Sequence, residues 1–222
     1  INLASPNNPT GYALDQSEME QLAKLARSVG AYVVCDEIYR GLSDDYMPSI
    51  CDVYEKGICT SSTSKVFSSA GTRVGWIVTR DLSIKDAMMN MRSYHSICEG
   101  PINELIAAII LENKEVFYKR NTAIVKAAQD VLKEWLKGQP HFKPAVESKS
   151  STAFLYYDFD IPAADFAQEL YDKKSTLVCH GACFEQEHCF RIGFGFGDLA
   201  YFKAGLDQIG EFVKELETEG RI

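Results

Sequence analysis

The segment "SSTSKVFSSAGTRVGW", residues 61–76, sets Lys65 among small hydroxyl side chains, with Arg73 eight residues further on. Hydroxyls and a guanidinium are the groups that cradle a phosphate. A lysine in such a cradle is either a phosphate contact or, with its amine free, a nucleophile that bonds a carbonyl as a Schiff base. Taken alone, the segment is equally a solvated Ser/Thr-rich loop. "CDEIYRG", residues 35–41, puts Asp36 just past an apolar run and Tyr39 three residues later. Alone, that pattern describes a surface acid and a half-buried tyrosine. "SPNNPTG", residues 5–11, follows the apolar start Ile1 to Ala4. Pro6 and Pro9 stiffen it, Asn8 is pushed toward extended geometry, and Gly11 is free to take a positive φ. In "FRIGF", residues 190–194, Arg191 sits inside an apolar strand, where a guanidinium needs a carboxylate partner, from the protein or from a ligand.

Other patterns carry less. Gly193, Gly195 and Gly197 alternate with phenylalanines, but their spacing is not the dinucleotide fingerprint, and the phenylalanines are expected to face a core. Cys179, His180, Cys183, His188 and Cys189 crowd together without the paired spacings of a metal site, so no metal is expected. His95 and His141 show no triad pattern.

The elements that must position these residues alternate in the first half. Asp15 and Ser17 are candidate N-caps, and Ser17 with Glu20 has capping-box spacing. Met19, Leu22, Ala26 and Val29 recur at helical spacing, and Gly30 is a natural stop. "AYVVC" (31–35), "ICTSS" (58–62) and "GWIVT" (75–79) read as short buried strands. Strands separated by helices imply an α/β, mostly parallel, doubly wound sheet, whose ligands bind at the carboxyl ends of the strands. That rule selects Asn8, Asp36 and the segment around Lys65 together. From Pro101 to Gly138 the pattern is helical. Strands at 153–159, "TLVC" (176–179) and "FRIGF", a helix over 161–174 and another over 198–219 then form an α+β unit. The expected division is 1–112 and 113–222.

Composition narrows the class. The chain has 222 residues, 46% hydrophobic and 24% charged, an ordinary globular balance with room for one large domain or two small ones. A net charge of −8 without a basic cluster argues against nucleic acid as a partner. No apolar run is long enough to span a bilayer, and the first residues lack the pattern of a signal peptide. Seven scattered cysteines fit a reduced, cytoplasmic protein better than a disulfide framework.

In this order and at these spacings, "SPNNPTG", "DEIY", "SSTSK…GTRVGW" and "FRIGF" together resemble the pyridoxal-phosphate aminotransferases of fold type I, class I/II. The resemblance runs through most of the chain. It implies the C-terminal part of a fold type I enzyme: the mostly parallel sheet of the large domain, then a smaller α+β domain. It implies pyridoxal 5'-phosphate as cofactor, with Lys65 bonding it covalently and Asp36 pairing with the pyridine nitrogen. Asn8 and Tyr39 match the groups on the phenolic oxygen. Ser62, Ser64 and Arg73 match the phosphate ligands. Arg191, with Asn8 beside it, matches the clamp on the substrate carboxylate. The resemblance further implies an amino acid and a 2-oxo acid as substrates and a homodimer. It also implies that the chain begins late, without the N-terminal arm, a small-residue phosphate loop and an aromatic that stacks on the ring. "CHGACF" (179–184) departs from the Pro-Gly turn of many relatives.

Three rival readings remain. A carbon–sulfur β-lyase uses the same residues. Ser62 with Lys65 also has the S-x-x-K spacing of penicillin-recognising acyl hydrolases, though S-D-N and K-T-G are absent. The third is a non-catalytic remnant.

Overall fold

The α1 helix, Gln16–Ser28, shows how the first sheet is covered. Asp15 is its N-cap, and a capping box closes through Glu18: the Asp15 carboxylate accepts from the Glu18 amide while the Glu18 carboxylate accepts from the Asp15 amide. The expected Ser17–Glu20 box is displaced by this pair two residues earlier, because Asp15 is the residue with extended backbone. Met19, Ala23 and Ala26 form the buried stripe. Val29 is instead the C-cap and 69% exposed, and Gly30 follows with φ +68°, the left-handed turn that glycine tolerates best.

The structure, a computed structural model, describes all 222 residues. The stripe packs on Val33 and Cys35 of β2 (Val33–Asp36) and Cys59 of β3 (Gly57–Ser62), with Ile50 and Cys51 from the short α2 (Ile50–Val53). β1 is Asn2–Ala4 and β4 is Gly75–Thr79. The sheet order is β1-β2-β3-β4; the first two pairings are parallel and β3–β4 is antiparallel. Parallel strands end on the same side of a sheet, so the ends of β1, β2 and β3 come together there.

α3 (Leu82–His95) and α4 (Pro101–Glu112) follow, then α5 (Lys114–Leu136). The expected continuous helical run breaks at Asn113, whose side-chain amide donates to the Ile109 carbonyl and competes with the backbone ladder. Two compact units divide within α5: residues 1–7 with 12–122, and residues 8–11 with 123–222.

The second unit is built on an antiparallel sheet ordered β5-β6-β8-β7, from β5 (Phe142–Pro144), β6 (Thr152–Tyr157), β7 (Cys179–His180) and β8 (Cys189–Gly193). α6 (Ala163–Lys174) and α7 (Leu199–Thr218) complete it. Phe166 of α6 packs against Phe190 of β8 and Phe212 of α7, with ring centroids 5.6 and 5.5 Å away. Phe194 is buried as expected, but Phe196 is exposed: β8 ends at Gly193, so the strand alternation stops before it.

Candidate active site

In the first unit the site grows from two neighbouring strand ends. Asp36 closes β2 in register with Thr60 of β3. Its Oδ1 accepts from the Ile38 amide at 3.2 Å and from the Thr60 hydroxyl at 3.3 Å. Both bonds fix the carboxylate at the carboxyl edge of the sheet. Glu37, next in sequence, turns the other way and is only 2% exposed. Its Oε1 accepts from the Ser49 hydroxyl and the Ile50 amide, both at 2.9 Å, capping α2. Its Oε2 lies 2.8 Å from Arg40 Nε, an ion pair whose angle is not that of a hydrogen bond. Burial raises the Glu37 pKa, while Ile50, Ser49 and Arg40 oppose the rise. This anchor pins the turn that carries Tyr39, which is buried.

The loop after β3 brings Lys65 to Tyr39, with Nζ 6.0 Å from the ring centroid. Thr63, fully buried, holds the loop: its amide donates to the Val74 carbonyl at 3.0 Å, and its hydroxyl lies within reach of the Ser69 and Val74 carbonyls. The far side is fixed by Asn121 of α5, whose side-chain amide donates to the Val66 carbonyl at 2.6 Å. Ser62 Oγ accepts from the Ser64 amide at 3.1 Å. Ser62 is thus engaged by a backbone amide and Lys65 faces an aromatic ring, which gives no support to the acyl-hydrolase pairing.

Arg73 follows a 3-10 turn, Ala70–Thr72, and sits in the left-handed region at φ +57°. Such a conformation costs a side-chain-bearing residue about 1–2 kcal/mol and is characteristic of functional sites. Its Nη1 donates to the Ala70 carbonyl at 3.0 Å. Ser62 pairs with Gly75 across β3–β4, and a Cβ on Gly75 would stand 3.2 Å from the Ser62 Cβ. It would also stand 3.0 Å from the Ser61 carbonyl oxygen, so the close approach of β4 to β3 favours glycine here.

In the second unit, Arg191 Nη1 donates to Asn8 Oδ1 at 2.8 Å. Asn8 belongs to the 8–11 segment, which is held by the Lys149 amide on the Gly11 carbonyl at 2.8 Å. Gly11 has φ +77°, and a Cβ there would meet Ser148 Oγ, so both backbone and space require glycine. The Arg191 guanidinium also lies 5.5 Å from the Phe184 ring centroid. Neither partner is an acid. The protein therefore does not supply the carboxylate that one of the two expectations placed beside this arginine.

Asp36, Tyr39, Ser62, Ser64, Lys65 and Arg73 lie in the first unit; Asn8 and Arg191 pair in the second. Thr60, Glu37, Thr63, Asn121 and Phe184 support them without having been singled out from the sequence. Only Thr60, opposite a strand-end aspartate, could have been found by strand register. The His/Cys group forms no cluster able to hold a metal.

The family described as "Aminotransferase class I and II" matches residues 1–209. The aspartate aminotransferase of Thermotoga maritima is 26% identical over 96% of this chain, which covers 55% of that protein. The histidinol-phosphate aminotransferase of Thermotoga sp. strain RQ2 is 30% identical over 57% of this chain and 36% of its own length. Among solved structures, a PLP-dependent aminotransferase from Streptococcus suis superposes with TM-score 0.92 at 32% identity, over 97% of this chain and 57% of that one. The chain thus spans about half the length of relatives it matches.

Proposed function

Because the chain belongs to the class I and II aminotransferase family, whose cofactor is pyridoxal 5'-phosphate, we propose that the complete protein transfers an amino group between an amino acid and a 2-oxo acid. The observation that carries this reading is the placement of the Lys65 amine against Tyr39, next to the strand end that presents Asp36. The donor set fits the cofactor: an amine for its aldehyde, a carboxylate for its ring nitrogen, hydroxyls and a guanidinium for its phosphate. The register of Asp36 with Thr60 at neighbouring strand ends, with the Lys65 loop following β3, supports the same fit.

When bound, the cofactor supplies an electron sink for the negative charge left when the substrate Cα loses its proton. The rest falls to the protein. Lys65 Nζ would hold the cofactor covalently, and its amine would serve as general base for the substrate Cα proton. Asp36, oriented by Thr60 and the Ile38 amide, keeps the ring nitrogen charged, since an adjacent carboxylate favours the cationic form. Ser62, Ser64 and Arg73 would hold the phosphate, and the Tyr39 hydroxyl would serve the phenolic oxygen. Arg191 receives the substrate carboxylate through the N–H groups that Asn8 leaves unused. The reading includes a cytoplasmic homodimer that needs neither nucleic acid nor membrane. The net charge of −8 weighs against a nucleic-acid partner.

The test is chemical. The chain is incubated with pyridoxal 5'-phosphate, reduced with borohydride, digested and mapped. The pyridoxyl group is expected on Lys65; a label confined to any other lysine overturns the assignment. Assay of the complete protein with and without a 2-oxo acid then separates transfer from β-elimination.

A further inference from the structure

We propose that Ser148 and Gln129 are positioning residues for the substrate carboxylate: through the main chain of residues 8–11 they set where the Asn8 amide stands against the Arg191 guanidinium. This rests on the reading of Arg191 as the carboxylate clamp, and adds to it the part of the second unit that aims the clamp. Arg191 lies on β8, opposite Phe154 of β6, and its Nη1 donates to Asn8 Oδ1 at 2.8 Å. That bond fixes the guanidinium plane. A guanidinium grips a carboxylate with two parallel N–H groups only when its plane is aimed at the ligand. Asn8 must therefore be held in its turn.

Two carbonyls hold its segment. The Gly11 carbonyl accepts from the Lys149 amide at 2.8 Å, and the Pro9 carbonyl accepts from the Thr152 hydroxyl at 3.5 Å. Both donors come from the connection between β5 and β6 and the first residue of β6. Gly11 lies flush against that connection: a Cβ on it would stand 2.6 Å from the Ser148 Cβ and 3.0 Å from the Ser148 Cα.

Side chains shape the connection. Ser148 Oγ accepts from the Ser150 amide at 3.1 Å and donates to the Thr152 carbonyl at 2.5 Å. Ser150 Oγ accepts from the Thr152 amide at 3.2 Å. These are two successive hydroxyl-closed turns. Ser148, Ser150 and Thr152 are 8%, 0% and 8% exposed, and a buried polar network with every member bonded specifies one geometry. Gln129 of α5 grips the same turns from outside, its side-chain amide donating to the Ser148 carbonyl at 2.8 Å and the Ser150 carbonyl at 3.4 Å. The Ser148 carbonyl and the Lys149 N–H belong to one planar peptide group and point in opposite directions. Gln129 therefore pulls on one side of that peptide while the Gly11 carbonyl takes its N–H on the other. The line of contacts runs from Gln129 through this peptide to Gly11, and along three residues to Asn8 and Arg191.

A rival route exists. Thr152 pairs with Gly193, two residues beyond Arg191, so a loosened connection would also reach Arg191 through the sheet, without Asn8. The experiment separates the two. Dissociation constants of succinate and of 3-phenylpropionate, one acidic and one apolar carboxylate that need no turnover, are measured by titration calorimetry on the complete, cofactor-loaded protein. Arg191→Ala should weaken at least one of them tenfold or more, and that one becomes the probe. Ser148→Ala should weaken the probe about fivefold, the worth of one hydrogen bond. Gln129→Glu, which keeps the size of the side chain and loses both donors, should do the same. In an Asn8→Ala background either substitution should change the affinity less than about twofold, because the route then ends at residue 8. Unchanged affinity in Ser148→Ala and Gln129→Glu, or equal losses with and without Asn8, would overturn the proposal and leave the clamp reading standing. No binding of either carboxylate by the unaltered protein, or full affinity in Arg191→Ala, would overturn the clamp reading and the proposal with it. Far-UV circular dichroism checks each variant. If Ser148→Ala misfolds, Gln129→Glu, at a half-buried position, decides alone.

Discussion

Arg73 separates stability from function more sharply than any other residue of the site. It bears its side chain in a left-handed conformation, at φ +57°. Replacing it by glycine removes about 1–2 kcal/mol of strain and adds about 0.5–1 kcal/mol of unfolded-chain entropy. Arg73→Gly should therefore leave the first unit as stable as before or more stable by about 1 kcal/mol. It should also weaken cofactor binding through loss of the phosphate contact. Denaturant midpoints and cofactor titration read the two effects independently, and parallel loss of both would sink the argument. Arg191 lies at the other extreme. Its partners are Asn8 and a ring, and on the proposed reading its charge meets the substrate carboxylate. In the complete protein, Arg191→Ala should lower kcat/KM by about two to three orders of magnitude, since losing a charged hydrogen-bond partner costs ~2–5 kcal/mol. Unchanged kinetics would make it structural. These residues were legible because several motifs occur in one order. Asn121 was not, because an amide on a loop carbonyl in a distant segment leaves no local pattern, and Phe184 was not, because the short turn that carries its ring toward Arg191 has no period of its own.

Among the elements, α1 offers the cleanest test. Asp15→Ala removes one half of a reciprocal capping box and should cost about 1 kcal/mol. Ser17→Ala should cost little, because that hydroxyl is not the cap; equal losses would mean the helix starts elsewhere in solution. In the second unit, His141 ties three elements. Its Nδ1 is 2.7 Å from Asp158 Oδ1 after β6, and its Nε2 is 3.0 Å from Glu217 Oε1 of α7. The hydrogen bond to Asp158, foremost, raises its pKa from the ordinary 6.5, and Glu217 adds to the rise. A raised folded-state pKa gives stability that is fully present below about pH 6.5 and is lost as pH climbs through the folded value. The midpoint gap between wild type and His141→Asn should therefore be wide at pH 6 and narrow well above it. Trp135, stacked on Phe142 at 5.5 Å, reports this region in a Trp76→Phe background. A gap that widens with pH would refute the linkage. Most legible elements have a buried face: β2, β3, β6 and β8 read as apolar runs; β4 also read as one, but Gly75–Thr79 is a sheet edge with no buried residue and not the buried strand expected. α3 has no buried residue, so no amphipathic period announces it. β5 is three residues ending in a proline, and only Cys179 of the expected 176–179 strand pairs with β8, because an edge strand satisfies few backbone groups.

For the molecule as a whole, the distribution of apolar surface matters more than its amount. Isolated exposed hydrophobic residues are ordinary, but a contiguous set promotes association. α4 carries such a set. Ile102, Leu105, Ile106 and Ile109 are 73%, 61%, 41% and 51% exposed, while Ala107 and Ile110 alone face inward. Those four residues recur at the three- and four-residue spacings of one helix side, so they form a stripe rather than scattered points. The net charge of −8 opposes association only weakly here, since the stripe itself bears no charge and salt screens the remainder beyond about 8–10 Å. The 222-residue chain should accordingly self-associate as its concentration rises, and should bind a hydrophobic dye. Leu105→Lys with Ile109→Lys places two cations in the middle of the stripe. Both side chains are exposed already, so stability should change by no more than about 0.5 kcal/mol per site. The double variant should sediment as a monomer at concentrations where the unaltered chain does not, with most of the dye emission gone. Monomeric sedimentation of the unaltered chain throughout the range would show that this stripe is too small or too mobile to drive association. Association that persists in the double variant would instead place the contact on another surface, such as the β4 edge, where Ile77 and Val78 are 54% and 44% exposed.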